Sequence, residues 1–196
     1  MRAATSDAMK RAAALIAGIG LCAIAPSFLA GPQSQIAAHA TPAPDRAVWS
    51  EVKRPFPMDQ WGEGKAFQCK AADCGTEINL YVRAKIGFCS SARGVADNDE
   101  LDRLSDFDLM GGRATALAGS HEIEIGRMKG RLRAYAVTDL VRPQAYAFSI
   151  AFNSNDDAVV VTAQFAGAQL ALTESAVIQF LRGKIVQQWV TDTLGS

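Results

Sequence analysis

Histidine is scarce in this chain. Only His39 and His121 occur in 196 residues, and His39 falls in an N-terminal segment that we expect to be removed. A serine- or cysteine-based mechanism with a histidine base would therefore need His121. His121 follows Ser120 in an expected strand-entry turn, and neighbours on an extended chain point to opposite faces. The two residues are thus no ready-made catalytic dyad, and a partly exposed loop histidine is the ordinary interpretation.

The N-terminus lacks an apolar run long enough to span a bilayer comfortably. Residues 12–25 form an uncharged, mostly apolar stretch of 14 residues, whereas a spanning helix needs about 20. A basic start with Arg2, Lys10 and Arg11 precedes this stretch. Basic residues followed by a short apolar core are typical of a secretory signal peptide.

A small-residue segment follows the apolar stretch and ends in Ala38-His39-Ala40. This A-x-A pattern suits a signal peptidase. We therefore expect residues 1–40 to be removed and the mature protein to be periplasmic or extracellular. Cleavage after Ala30 is one alternative, and an uncleaved anchor that reaches Ala30 is another.

The mature chain has no excess of positive charge. Removing Arg2, Lys10 and Arg11 from 20 basic residues leaves 17, and removing Asp7 from 20 acidic residues leaves 19, so the mature net charge is near −2. Nucleic-acid-binding domains are usually basic overall, so we expect no nucleic-acid partner. The 156 residues of 41–196 are enough for one domain with a proper core.

Familiar ligand-binding motifs are also missing. Residues 97–108 are rich in acids, but Leu101 stands at the third ligand position of an EF-hand loop and Asp102 stands where its turn glycine belongs. The glycine-containing segments 61–65 and 126–130 lack the length and context of a phosphate-binding loop. We therefore predict no cofactor and no metal site.

Three cysteines remain once Cys22 leaves with the leader: Cys69, Cys74 and Cys89. An oxidising compartment favours disulfides. If Cys69 and Cys74 flank a short hairpin loop, they come within bridging distance. A strand separates Cys89 from Cys74, and its full extension would place the two cysteines up to roughly 50 Å apart. We predict a Cys69–Cys74 disulfide and a free thiol at Cys89.

Alternation of apolar and polar residues predicts a mainly antiparallel sheet. The clearest strand covers residues 78–88, where six apolar residues share one face and Arg83 and Lys85 lie on the other. The further expected strands are 66–69, 122–137 (either unbroken or a hairpin bent at Gly126 or Gly130), 145–152 and 158–165, with the last two joined as a hairpin.

Two helices are expected to pack on this sheet. Asp97 can cap a mid-chain helix over 97–110, with Glu100 at the capping-box position. Thr173 can cap a long C-terminal helix over 173–194. Strands and helices in this order predict an α+β fold.

The domain is expected to follow an irregular stretch. Residues 41–66 carry four prolines and two glycines, which break any long element, so we expect an irregular lead there and a single α+β domain over 67–196. The order of elements resembles that of the PsbP-type sandwich, a resemblance of architecture that no residue motif carries.

The most suggestive surface feature is basic. Arg127, Lys129, Arg131 and Arg133 alternate, so an unbroken strand would place them on one face. Within one sheet, Arg83 and Lys85 would extend them into a stripe of six cations. Such a stripe could dock an anionic partner, namely phospholipid head groups, a cell-wall polymer or an acidic protein. A solvated face, or pairing with the acidic helix, is the commoner meaning of such charges.

Two functional hypotheses follow. The leading one is a non-catalytic cell-envelope protein that binds a partner or ligand through the basic sheet face. The alternative is a small thiol- or metal-dependent enzyme centred on Cys89 and His121, with Cys69 and Cys74 as further thiols.

The intact mass of the protein purified from the envelope of expressing cells tests the leader and the cysteines together. We expect a chain that begins at Thr41 and takes up one alkylating group per molecule before reduction and three after it, because one disulfide protects two of the three thiols. Three reactive thiols with one bound zinc per chain would instead favour the enzyme.

Overall fold

The computed structural model describes residues 47–53, 64–87, 95–110, 113–138, 145–154, 157–167 and 169–195. All of them belong to one compact unit, residues 41–196. The predicted leader, residues 1–40, and the predicted free thiol, Cys89, lie outside the described residues.

The described strands form one antiparallel sheet of eight strands. The strand order is β1-β2-β3-β8-β7-β6-β4, and β5 pairs with the first half of β6 while β4 pairs with its second half. The strands are β1 Trp49–Val52, β2 Lys65–Cys69, β3 Ile78–Lys85, β4 Arg113–Ala116, β5 His121–Ile125, β6 Met128–Thr138, β7 Ala145–Ser154 and β8 Asp157–Ala166.

Two helices cover one face of the sheet, which we call the α3/α4 face. These are α3, Leu170–Leu181, and α4, Lys184–Leu194. Their buried side chains meet the inward row of β3 and the corresponding rows of β6, β7 and β8 in the main core. The row of Ile78, Leu80 and Val82 is fully buried there, as the alternating pattern of this strand predicts.

A shorter helix covers the opposite face, which we call the α2 face. Helix α2, Asn98–Leu104, buries Leu101 and Leu104 against a floor of small residues from β7 and β8. A 3₁₀ turn, Phe107–Met110, follows and sets Phe107 edge-on against Tyr135, with ring centroids 5.3 Å apart. The protein is therefore an α+β fold, as expected, and its helices lie on both faces of the antiparallel sheet.

The stretch predicted to be an irregular lead contains the first strand. β1 pairs along its whole length with β2, and Trp49 stacks on Phe180 at 4.4 Å between ring centroids. Lys65 Nζ lies 2.6 Å from Glu51 Oε1. Four residues are too few to show a period in the sequence, so only the pairing reveals this strand.

Two of the predicted elements end early. β3 stops at Lys85, before a turn at Ile86 and Gly87. The helix predicted over 97–110 ends at Leu104, because Ser105 adopts an extended conformation and its hydroxyl bonds the Leu101 carbonyl oxygen at 2.7 Å. At the start of the helix, Asp97 Oδ1 accepts a hydrogen bond from the Glu100 N–H at 2.9 Å, as the capping pattern predicts.

The basic segment forms a hairpin, one of the two predicted alternatives. Ile125 pairs with Met128 across a turn at Gly126 and Arg127. Gly126 has φ of +63°, and a Cβ there would lie 2.6 Å from Gln187 Oε1. A residue other than glycine would have to adopt the left-handed backbone region, which favours glycine, and the end of the Gln187 side chain would have to move.

The predicted single C-terminal helix is wrong, because the segment forms two helices. Gly183 is extended, with ψ of 157°, and separates α3 from α4. Helix α3 begins three residues before the predicted cap, so Thr173 lies buried within its first turns. Apolar residues continue on both sides of Gly183, so the sequence pattern predicts one helix.

A disulfide joins Cys69 and Cys74, as their spacing predicts, with the two Cα atoms 6.0 Å apart. Cys74 does not lie on a facing strand, however. It ends a single helical turn, α1 Ala71–Cys74, that brings its sulfur back over the end of β2. Gly75 then takes φ of +73° to redirect the chain into β3.

Helix α2 should depend on its two leucines. We expect Leu104→Ala to lower the free energy of unfolding by about 2–5 kcal/mol, because the site is fully buried and leaves a cavity. Urea unfolding followed by circular dichroism measures the change. Leu172→Ala is the matched control, since Leu172 is 58% exposed on α3 and should change the value by less than about 0.5 kcal/mol. Equal losses for both variants would contradict the packing described.

Candidate functional site

Five of the six predicted binding cations share the α2 face. Lys129 lies level with Lys85 across Asn153 and Ala158, and Arg131 lies level with Arg83 across Ala151 and Val160. Arg133 comes next along β6 on the same face, and Arg127 lies in the hairpin turn. The strands thus bring the predicted residues together, but helix α2 decides how many of them reach solvent.

Arg83 and Lys85 share one carboxylate. Asp106 Oδ1 lies 3.1 Å from Arg83 Nη1 and 3.0 Å from Lys85 Nζ, and the Asp106 and Lys85 side chains are only 9% and 7% exposed. Lys85 Nζ also donates to the Leu104 carbonyl oxygen at 2.6 Å. The early end of α2 places Asp106 here, so the two cations are part of the fold rather than a binding surface.

A second carboxylate serves β6. Arg133 Nη1 lies 2.7 Å from Asp102 Oδ2, and the Tyr135 hydroxyl donates to Asp102 Oδ1. Burial raises the pKa of Tyr135, and the hydrogen bond to Asp102 raises it further. Burial alone would lower the pKa of Arg133, but the hydrogen bond and charge of Asp102 outweigh it and raise that pKa. Tyr135 is thus held neutral and Arg133 charged.

Arg131 donates hydrogen bonds to the segment between β4 and β5, where strand pairing with β6 is interrupted. Between β4 and β5 the chain bulges away from β6, and Arg131 donates through Nε to Ser120 Oγ at 2.6 Å and through Nη2 to the Ser120 carbonyl oxygen at 3.2 Å. Its Nη1 reaches the Ala96 carbonyl oxygen at 3.2 Å. Arg133 Nε donates to the Ala118 carbonyl oxygen of the same bulge at 2.8 Å. Both arginines therefore fasten the bulge beneath the start of α2.

Arg127 and Lys129 are the remainder of the predicted stripe. Both are exposed, and neither meets a partner among the described residues. Glu124 is the residue level with Lys129 across the hairpin. Of the six predicted cations, these two alone present their charge to solvent in the part of the chain that the structure describes.

Two further cations, which the sequence interpretation missed, lie beside this turn. Gly126 packs against Gln187 in the first turns of α4, and Arg182 Nε donates to the Glu124 carbonyl oxygen at 2.9 Å. Exposed Arg182 and Lys184 flank the break between α3 and α4. We call Arg127, Lys129, Arg182 and Lys184 the cationic corner. The sequence pattern predicts a continuous helix through Arg182-Gly183-Lys184. It therefore gives no indication that a break there exposes two cations.

His121 is paired, but not with a nucleophile. Its Nε2 lies 2.9 Å from Glu174 Oε1 of α3, and its side chain is 53% exposed. Ser120, its neighbour, turns to the α2 face and bonds Arg131. A groove of about 690 Å³ runs past His121 along the outer edge of β5, between the loop before α2 and helix α3. Ser120 and His121 therefore point to opposite faces of the sheet.

The thiol and metal alternatives lose residues to other bonds. The disulfide occupies Cys69 and Cys74. Of the acids in residues 97–108, Asp97 caps α2, and Asp102 and Asp106 pair with the sheet cations. Within the described ranges, no three or more side chains of the types His, Cys, Asp and Glu are grouped to hold a metal.

No protein-family model and no curated protein sequence matches this chain. Among its described helices, none is both long and apolar enough to cross a membrane.

The Asp102 cluster should give the protein a specific alkaline sensitivity. Free tyrosine ionises near pH 10, whereas Tyr135 in the fold keeps its proton to higher pH. Above about pH 10 the unfolded chain therefore binds fewer protons than the folded one, so the free energy of unfolding falls as pH rises. Urea unfolding at pH 8 to 11 measures this slope.

Tyr135→Phe should make the alkaline slope shallower, because it removes the titrating hydroxyl. Tyr146→Phe is the matched control, because it removes a tyrosine hydroxyl on the face of the sheet opposite Asp102. If the two variants and the wild type gave the same slope, Tyr135 would not be the group responsible.

Proposed function

We propose that the protein is an exported, non-catalytic cell-envelope protein that binds an anionic partner through the cationic corner. The observation that carries this proposal is the sorting of the basic residues. Four of the six predicted cations are largely buried and bonded within the fold, whereas Arg127 and Lys129 are exposed and have Arg182 and Lys184 beside them.

The surroundings support attraction of an anion. Arg182 bonds a neutral carbonyl oxygen, so its positive charge is retained. Glu124 lies level with Lys129 across the hairpin, and Glu122 and Glu174 line the groove that Lys129 and Arg182 also line. Arg127 and Lys184 do not line that groove, so their charges lie beyond its acids. Clustered charges of one sign raise the local concentration of oppositely charged partners even on a protein of near-zero net charge.

Two features support export. The first is the leader pattern of residues 1–40, with its basic start, short apolar core and Ala38-His39-Ala40. The second is the Cys69–Cys74 disulfide, because such bonds persist in secreted and periplasmic proteins and are rare in the reducing cytosol.

Binding to two soluble polyanions tests the proposal. We expect the mature protein to bind poly-L-glutamate and polyphosphate in a salt-sensitive way, since opposite exposed charges are screened by added ions. The triple variant Arg127→Ser, Lys129→Ser, Lys184→Ser should bind roughly tenfold more weakly or worse at low salt. Isothermal titration at two NaCl concentrations measures the affinity.

The matched control removes three exposed cations elsewhere: Lys53→Ser, Lys70→Ser and Arg113→Ser. It changes the net charge equally, so near-wild-type affinity is expected if position matters. Equal weakening by both triple variants would show that only net charge acts, and no binding by the wild-type protein would refute the proposal.

A further inference from the structure

Apolar side chains stand exposed beside the cationic corner. Ile185, in the first turn of α4 next to Lys184, is 60% exposed. The core contribution of this helix comes from Val186 and Val190, which are buried. Ile185 is thus a large apolar side chain that the fold leaves in solvent among positive charges.

A second isoleucine lies at the same end of the sheet. Ile86 follows β3 directly and is 58% exposed. The antiparallel register places Lys85, one residue before it, level with Lys129, so the end of β3 and the β5–β6 turn share one edge of the molecule. Asp157 is also at this edge, where its Oδ1 accepts the Gly87 N–H at 2.7 Å. Cations and two exposed isoleucines therefore occur together at one end.

We infer that this end of the protein docks on the surface of an anionic phospholipid bilayer, with Ile185 entering the interface. The inference rests on the proposed function and names its partner. A bilayer surface offers phosphate charge and, a few ångströms deeper, an apolar phase. A soluble polymer or an acidic protein chain offers the charge without that continuous apolar phase, so it gives exposed Ile185 no comparable role.

The magnitudes describe reversible surface binding. Each lysine or arginine near an anionic bilayer raises partitioning about fivefold. Partial burial of one isoleucine side chain adds about tenfold. Charge and apolar insertion act as two weak signals, and stable attachment to a membrane generally needs two such signals.

Vesicle sedimentation tests this inference on the mature protein. We expect binding to vesicles of 30% phosphatidylglycerol in phosphatidylcholine, and about 100-fold weaker partitioning for the triple variant Arg127→Ser, Lys129→Ser, Lys184→Ser. Vesicles of phosphatidylcholine alone should bind little of either protein.

Ile185→Ser separates the bilayer from other anions. It should lower vesicle partitioning about tenfold and leave affinity for polyphosphate unchanged, because a soluble polymer cannot bury the side chain. Leu172→Ser is the matched control: Leu172 is equally exposed but lies ten residues before Arg182 on α3, about 15 Å away along the helix axis, and its loss should change neither.

Three results would overturn the inference. Polyphosphate binding without vesicle binding would leave the proposed function standing and refute the bilayer as partner. Unchanged vesicle binding by Ile185→Ser would refute insertion. Binding to neither probe would refute the proposed function as well.

Discussion

The structure depends on the pairing of a basic sheet face beneath α2 with carboxylates of the α2 segment. Arg83, Lys85 and Arg133 project from the sheet where the helix must pack, and two carboxylates of the α2 segment, Asp102 and Asp106, meet them at 2.7–3.1 Å. Removing one partner from such a cluster is costly, because it leaves an uncompensated charge with little access to water. The packing of α2 therefore depends on the sheet cations, and the burial of those cations depends on the carboxylates of the α2 segment.

The same constraint shapes the edge of the sheet. The bulge between β4 and β5 leaves backbone groups without strand partners, and Arg131 and Arg133 bind its carbonyl oxygens while Asn98 Oδ1 accepts the Ser120 N–H at 2.7 Å. Open edges invite pairing with other chains, and a short, bulged, charged edge opposes it. Arg133 thus both pairs with Asp102 of α2 and bonds the bulge, and Arg131 bonds the bulge as well.

Of the six predicted cations, the two that remain exposed, Arg127 and Lys129, lie at one end of the sheet. The β5–β6 turn and the junction of α3 with α4 meet through Gly126, Gln187 and the hydrogen bond from Arg182 to Glu124. Exposed surface cations contribute little to stability individually. We therefore propose that their grouping next to Ile185 serves binding rather than folding.

The sequence by itself determined the fold class, most strands, the cap at Asp97 and the pairing of Cys69 with Cys74. These features are local: a period of two residues, a side chain three residues from its backbone partner, or two cysteines five residues apart. The leader and the corner's binding role remain predictions.

Only the tertiary structure decided which cations are available. The sequence pattern predicts Arg83 and Arg127 alike to lie on the polar face of a strand. In the structure, Arg83 is paired with Asp106 and Arg127 is exposed. The strand Trp49–Val52 is likewise evident only from its pairing with β2 and from the stacking of Trp49 on Phe180. Charge neutralisation acts through space between residues far apart in the chain, so no local pattern in the sequence records it.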